Sequence, residues 1–390
     1  MRTKLIGLGA AGNKAAIYAV NAEIIDIENV MLLNSTLKDI PAEYQSRPGS
    51  NCHQFINSYG GCGKERSKSF TLAESTLKAE SINLASFLRI DFDDEAELVI
   101  LVTSTEGGTG SGSTPLIAKF IKQVYGIPVH VFGIAGFEDD VRGMRNTIDF
   151  FKELEEDFTV QCIKNSKFLD DNNGNRLKAE QAANKEFAQK ISVLMGLQIR
   201  DSDHNIDPTD LLKLSTEEGY MIIETHIFDQ KIKNIEQFKA SVKQMIDESK
   251  ALDCEDPSQK KLGVIINIRE DSTDYIDYSL LMSRYGIPYE RYEHIQDEDS
   301  MPEFISFISA GLKMPIEEVE TVYNNYKQSA SQVNKSRDNF FSTIKDIEID
   351  PSDNQFDLDA KKKKTISKDA FFSSSDKKKG DKVSNPNDEY

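Results

Sequence analysis

The chain reads as an α/β protein: a domain built on a parallel sheet comes first, and a smaller mixed α/β domain follows. Three observations predict this. Leu98–Val102 is a short, continuous, β-branched apolar run, as a strand buried on both faces requires, and Val129–Ile134 reads as another buried strand. Helical apolar spacing separates them, which makes a strand–helix–strand unit. Glycine-rich stretches lie at residues 7–12, 60–63 and 107–112, the first and last directly after strands, where such folds hold ligands.

A length of 390 residues suits two domains plus extensions. The 38% hydrophobic content is enough for real cores, and no run approaches a membrane span. With a strand starting almost at Met1, a cytoplasmic protein without a membrane partner is expected. Cys52, Cys62, Cys162 and Cys254 are scattered without CxxC spacing, so free thiols are expected and neither zinc nor a disulfide framework. A net charge of −18 argues against direct DNA binding by the globular part.

Lys4-Leu5-Ile6 begins the first strand, and Gly7-Leu8-Gly9-Ala10-Ala11-Gly12 leads into a helix through Ala15, Ala16, Ala19 and Val20. This fits the GxGxxG dinucleotide pattern, but the next strand, Val30–Leu33, ends at Asn34 where that fingerprint needs an acid. Gly60-Gly61-Cys62-Gly63-Lys64-Glu65 is, taken alone, a surface turn. Phe70–Ile90 reads as a helix and Asp91–Glu97 as a solvated connection. After Leu98–Val102 comes Gly107-Gly108-Thr109-Gly110-Ser111-Gly112, and beyond Pro115 a helix runs through Leu116, Ile117, Phe120, Ile121 and Val124. Unpaired N–H groups and the helix dipole favour an anion there, and glycine lets the backbone approach phosphate closely. The spacing nearly matches GxxxxGK[ST], but Ser113 stands where the lysine must be.

Phe158–Ile163 is the next strand, and Leu177–Gln198 is an amphipathic helix with Ala183, Phe187, Ile191, Leu194 and Met195 on one face. Asp201–Leu212 has the acid spacing of an EF-hand loop, yet Ile206 and Leu212 replace its glycine and its bidentate glutamate, so calcium is not expected. Asp207 before Pro208 is a good helix start. Tyr220–Phe228, Lys261–Ile268 and Pro288–Ile295 read as strands, Ile235–Ser249 and Pro315–Ile344 as helical. Six acids in Asp346–Asp359, then nine lysines against three aspartates in Lys361–Lys382, mark a disordered tail suited to electrostatic docking.

The hexapeptide at 107–112 resembles the GGGTG[ST]G signature of the tubulin/FtsZ superfamily, with Glu106 in place of the first glycine. Residues 7–14 resemble that family's first nucleotide loop, and 60–65 the loop that reaches the γ-phosphate. Phe137-Glu138 with Arg142 resembles its FEGxxR segment, Asn165-Ser166-Lys167 its NDKL turn, and Ala182-Ala183-Asn184 its base-contacting helix. Asn205, Asp207 and Asp210 match its acidic loop. The resemblance implies a Rossmann-type GTPase domain (1–176), a central helix and acidic loop (177–218), a smaller mixed domain (219–312), a C-terminal helix (313–348) and a disordered charged tail (349–390).

It also implies GTP with Mg2+ as cofactors. Gly9, Ala10, Ala11, Gly12, Asn13, Lys14, Gly61, Cys62, Gly63, Gly107, Gly108, Thr109, Gly110, Ser111 and Gly112 would line the nucleotide. Glu138 and Arg142 would meet the ribose, and Asn165 and Asn184 the base. Asn205, Asp207 and Asp210 would complete the active site of a neighbouring subunit, so that head-to-tail filaments hydrolyse GTP at their interfaces. The long C-terminal helix and lysine-bearing tail are most like the TubZ group, which implies segregation of plasmid or phage DNA through a small DNA-binding adaptor held by the tail. The alternatives are a phage spindle protein positioning viral DNA, a non-catalytic structural polymer, and a Rossmann-type NAD(P)-dependent oxidoreductase.

Overall fold

The structure, a computed structural model, describes residues 1–329 apart from 138, 156, 201, 203, 204 and 255. In chain order its first part comprises β1 (Thr3–Leu8), α1 (Gly9–Asn21), β2 (Val30–Asn34), α2 (Ala42–Ser46), β3 (Asn51–Gln54), α3 (Arg66–Lys78), α4 (Leu84–Leu88), β4 (Leu98–Ser104), α5 (Gly108–Phe120), β5 (Val129–Ala135), α6 (Val141–Leu154) and β6 (Thr159–Lys164). Then come α7 (Arg176–Leu194), α8 (Pro208–Ser215), β7 (Gly219–Ile227), α9 (Ile235–Asp247), β8 (Lys261–Asn267), α10 (Ser279–Tyr285), β9 (Glu290–Gln296) and β10 (Phe304–Leu312). Residues 316–329 are helical and are labelled α11.

One ten-stranded sheet carries all of these strands in the order β3-β2-β1-β4-β5-β6-β7-β10-β8-β9. Neighbours from β3 to β7 pair in parallel, β10 is antiparallel to both β7 and β8, and β9 runs parallel to β8. Successive residues of the central strands point to opposite faces, which divides the core in two. Leu5, Ile100 and Phe132 pack under α1 and α7 with Ala15, Ala19, Phe187 and Ile191. Ile6, Leu101 and Val131 join Phe150, Phe151 and Ile117 on the other face. Phe132 meets Phe187 edge to face at 4.7 Å, and burying each such ring contributes about 2–3 kcal/mol.

α7 is fastened to β7 by a buried ion cluster. The Lys190 ammonium, only 2% exposed, lies 2.7 Å from Glu224 and 2.9 Å from Glu186, and donates to the Ile223 carbonyl. Burial alone would lower its pKa, but the two carboxylates outweigh burial and raise it.

Several elements differ from their sequence expectation. The helix expected over 70–90 is two helices, because Glu80 takes a left-handed turn (φ +48°) and Asn83 caps α4 by accepting from the Ser86 amide at 2.9 Å. The helix expected beyond Pro115 already begins at Gly108, with Pro115 inside it. A proline leaves the carbonyl four residues back without its helix bond, and that carbonyl, Ser111 O, accepts from Arg66 at 3.0 Å instead. α7 stops short of 198 at Gly196 (φ +70°), whose N–H bonds back to Val193 at 3.0 Å. β10 was not anticipated: its FISFISAGL sequence is buried throughout and bends at a bulge near Gly311 (φ +77°). Glu138, residues 330–344 of the expected helix and the tail lie outside the described residues.

Candidate functional site

α1 and α5 begin side by side at the C-terminal ends of β1 and β4. Gly9 (φ +73°) makes the turn into α1, and a Cβ there would stand 3.0 Å from the Gly110 nitrogen. Gly110 in turn lies against Thr103 and the Leu8 carbonyl with no room for a side chain. Neither helix has a side-chain cap or an acidic residue in its first turn, and each is 13 residues long. Two uncapped N-termini therefore present free N–H groups and two dipole ends to the same place, which suits an anion such as phosphate.

That place is a groove of about 280 Å³ lined by Ala10, Ala11, Lys14, Lys64, Ser104, Glu106, Gly107, Ile134, Gly136, Phe137, Asn165, Glu180 and Asn184. β1, β4, β5 and β6 thus each deliver residues from their C-terminal ends, as ligand sites of parallel sheets do. Phe137 and Ile134 are its large apolar lining residues, and Asn165 and Asn184 line it as well. The Asn165 Oδ1 atom is buried without a hydrogen-bond partner, an acceptor ready for an N–H donor such as a purine base edge. Lys14 lies 3.7 Å from Glu180, so the first loop is tied to α7 by an ion pair across the groove. Arg176 lies over the Phe137 ring at 4.9 Å, and its bond to Asp139 holds that carboxyl below the usual range.

Of the residues expected from sequence, Ala10, Ala11, Lys14, Gly107, Asn165 and Asn184 line the groove together. Gly9, Gly12, Gly108, Gly110, Ser111 and Gly112 are buried behind it and set the loop spacings. Gly108, for example, rests on the Lys64 and Glu65 amides, 2.8 and 2.7 Å from where its Cβ would be. Thr109 bonds Ser35 at 3.0 Å. Asn13 faces away: it is fully buried, and its amide donates to the Leu33 carbonyl at 3.3 Å. Cys62 also turns inward, into the core below its loop, while Gly61 and Gly63 are exposed. Arg142 is exposed on the first turn of α6. Asn34, at the position of a dinucleotide acid, is 1% exposed and bonded to Asp39 and Ser35, so it has no reach to a ribose.

Asn205, Asp207 and Asp210 are not in the groove. α7 passes Asn184 and ends with Met195 beside Met1–Lys4, at the opposite end of β1. From Asn184 to Leu194 is about 15 Å of helix. Asp207 then caps α8, accepting from the Asp210 amide at 2.8 Å, and Asp210 pairs with Lys213 at 3.1 Å. Asn205 and Asp207 are exposed. One chain thus holds the groove and the acidic loop apart.

Lys64 and Phe137, which line the groove, lie inside motifs quoted from the sequence but were not assigned as ligand residues, and Ser104, Gly136 and Glu180 were missed. Among the described residues no group of three or more His, Cys, Asp or Glu side chains is arranged to hold a metal ion, and no helix is long and apolar enough to cross a membrane.

Residues 2–173 match the family model of the tubulin/FtsZ GTPase domain. Over 336 residues the chain is 23% identical to tubulin-like protein TubZ of Clostridium botulinum C phage, covering 84% of each. A GTPγS-bound protofilament structure of CetZ2 from Haloferax volcanii shares the fold with a TM-score of 0.67 at 18% identity, over 86% of this chain and 100% of that one. A GTPγS-form protofilament of Bacillus thuringiensis serovar israelensis TubZ also gives 0.67, at 15% identity over 87% and 94%.

Proposed function

We propose that this chain, whose residues 2–173 carry a GTPase domain of the tubulin/FtsZ family, is a cytoskeletal GTPase that assembles head to tail and hydrolyses GTP where two subunits meet. One observation carries the reading: the groove gathers two helix N-termini and the asparagines at 165 and 184, while the exposed Asn205 and Asp207 and their neighbour Asp210 stand outside it. A contact that brings this loop of one subunit to the groove of the next unites the two. Such a heterologous contact does not close, so it propagates as a filament. That the CetZ2 and TubZ structures named above are protofilaments supports this.

In this mechanism the α1 and α5 N-termini hold the phosphates, Asn165 and Asn184 meet the guanine, and the loop at 60–65 closes over the γ-phosphate. Asp207 and Asp210 of the neighbour orient and polarise the attacking water. Mg2+ bound with the nucleotide would offset phosphate charge there. Hydrolysis then weakens the contact that enabled it. We further assign the cargo as plasmid or phage DNA, reached through a small DNA-binding adaptor that docks on the basic tail, with the acidic globular part avoiding DNA itself.

GTP hydrolysis measured against protein concentration, with sedimentation in parallel, tests the assembly-built site. Per-subunit turnover should switch on above a critical concentration as protein pellets. Asp207→Asn, which keeps the helix cap, should leave GTP binding by monomers intact and slow polymer hydrolysis about 100-fold or more. Flat per-subunit activity with nothing pelleting would sink the reading. Co-pelleting of filaments with adaptor and DNA, lost on removal of the tail, tests the cargo.

A further inference from the structure

The two loops assigned above to the phosphates come from distant parts of the chain, and one buried side chain joins them. Asn146, on the second turn of α6, is 7% exposed. Its Nδ2 group donates to the Lys64 carbonyl at 3.2 Å and to the Glu106 carbonyl at 2.9 Å. Both of its N–H groups are thereby spent on backbone, one on each loop. The same helix supplies the other ties. Its cap residue Asp140 pairs with the Lys64 ammonium. Its Gly143, together with Gly136, leaves the space that the Glu106 carboxylate occupies. Its Glu153 holds Arg66, which in turn holds the Ser111 carbonyl at 3.0 Å.

Lys64 and Glu106 are both groove residues. Gly108 at the start of α5 already rests on the Lys64 and Glu65 amides, so any drift of the 60–65 loop would open that contact. We propose that Asn146 is a positioning residue for GTP: it locks the 60–65 loop to the 104–108 segment, so that the two close over the terminal phosphate as one rigid cradle. The inference rests on the reading of the groove as a GTP site. Asn146 itself touches no phosphate, and it acts through the two carbonyls it holds.

The lock matters where both loops are needed at once, which is at the γ-phosphate and not at the α- and β-phosphates on the helix N-termini. Its loss should therefore narrow the preference for triphosphate over diphosphate. Binding of GTPγS and of GDP to monomers is measured by calorimetry below the assembly concentration, for the full chain and for Asn146→Leu, Asn146→Ser and Asn146→Gln. Losing the two bonds should weaken GTPγS binding about tenfold in the Leu and Ser variants while GDP changes less than about twofold. The Gln variant, which keeps the donors on a longer arm, should recover part of the loss. The Ser variant carries the test should the Leu variant not fold.

Unchanged GTPγS binding in folded Leu or Ser variants would overturn the proposal. So would an equal loss for both nucleotides with no recovery by Gln, since that is the signature of general damage to the fold. Failure of the underlying reading is visible earlier and separately: the unaltered chain would bind neither nucleotide, or would not distinguish them.

Discussion

Replacing Lys190 by methionine should be among the most costly single changes in the molecule. The substitution keeps the length and apolar stem of the side chain but removes the ammonium from between Glu224 at 2.7 Å and Glu186 at 2.9 Å. Glu224, 5% exposed, would keep only its bond from Ser249 at 2.5 Å and would carry an uncompensated buried charge. Stranding one member of a buried pair costs about 3–5 kcal/mol, a large part of the ~5–15 kcal/mol that holds a domain folded. With a urea m-value of about 3 kcal/mol/M, the unfolding midpoint should fall by about 1–1.7 M. Glu186, which is less buried, can turn to water, so Glu224 carries most of the penalty. Lys190→Met with Glu224→Gln should therefore regain about 2 kcal/mol or more over the single variant. Urea unfolding followed by circular dichroism reads both. A midpoint shift below about 0.3 M in the single variant, or a double variant no better than the single, would refute the reasoning.

Other expectations follow from burial and close contact. His130 is fully buried, and burial depresses its pKa from 6.5 to about 4. The unfolded chain then binds the extra proton first, so stability is complete above pH 6.5 and falls by about 3 kcal/mol as pH drops to 4. Denaturant titrations should show His130→Gln with a flatter decline across that window, and an identical slope would count against the assignment. Burial pushes the Cys162 thiol up to about 12 and the Cys254 thiol up to about 11, and Cys62 is buried too, which leaves the half-buried Cys52. Iodoacetamide at pH 8 should place one label on the native chain, at Cys52, and prompt labelling of Cys162 or Cys254 would contradict the packing described. Gly110→Ala should force α1 and α5 apart at the groove, costing about 1–3 kcal/mol and at least tenfold in GTP affinity. Gly61→Ala meets open space and should stay within about 0.5 kcal/mol of the parent by thermal unfolding. Equal behaviour of the two alanine variants would mean the close approach at Gly110 is not what fixes the loop.

What could be read from sequence was what depends on near neighbours in the chain. Buried strands such as Leu98–Ser104 declare themselves by composition, and Asp207-Pro208 by the chemistry of helix starts. Asn165 and Asn184 reached the groove only through resemblance, because nothing local separates them from solvated asparagines. The errors have the same origin. Asn13 looked like a ligand, but it lies in α1 and is held by the Leu33 carbonyl, twenty positions away on β2. The start of α5 was misjudged because Pro115 looked like a first-turn residue, and the compensating donor, Arg66, lies outside any local window. β10 escaped notice because its serines break the apolar run, although Ser306 and Ser309 find partners in Thr225 and Gln259.

The position of β10 also governs the order of events during synthesis. It is the last strand of the sheet to be made, yet it belongs between β7 and β8, which have no direct pairing with each other. Until Leu312 leaves the ribosome, both partners keep an open row of N–H and C=O groups, and β8 and β9 cannot join the rest of the sheet. Open edges of this kind invite pairing with other chains. The nascent protein is thus most vulnerable to aggregation just before its final strand is inserted, and chaperone dependence should concentrate in that interval.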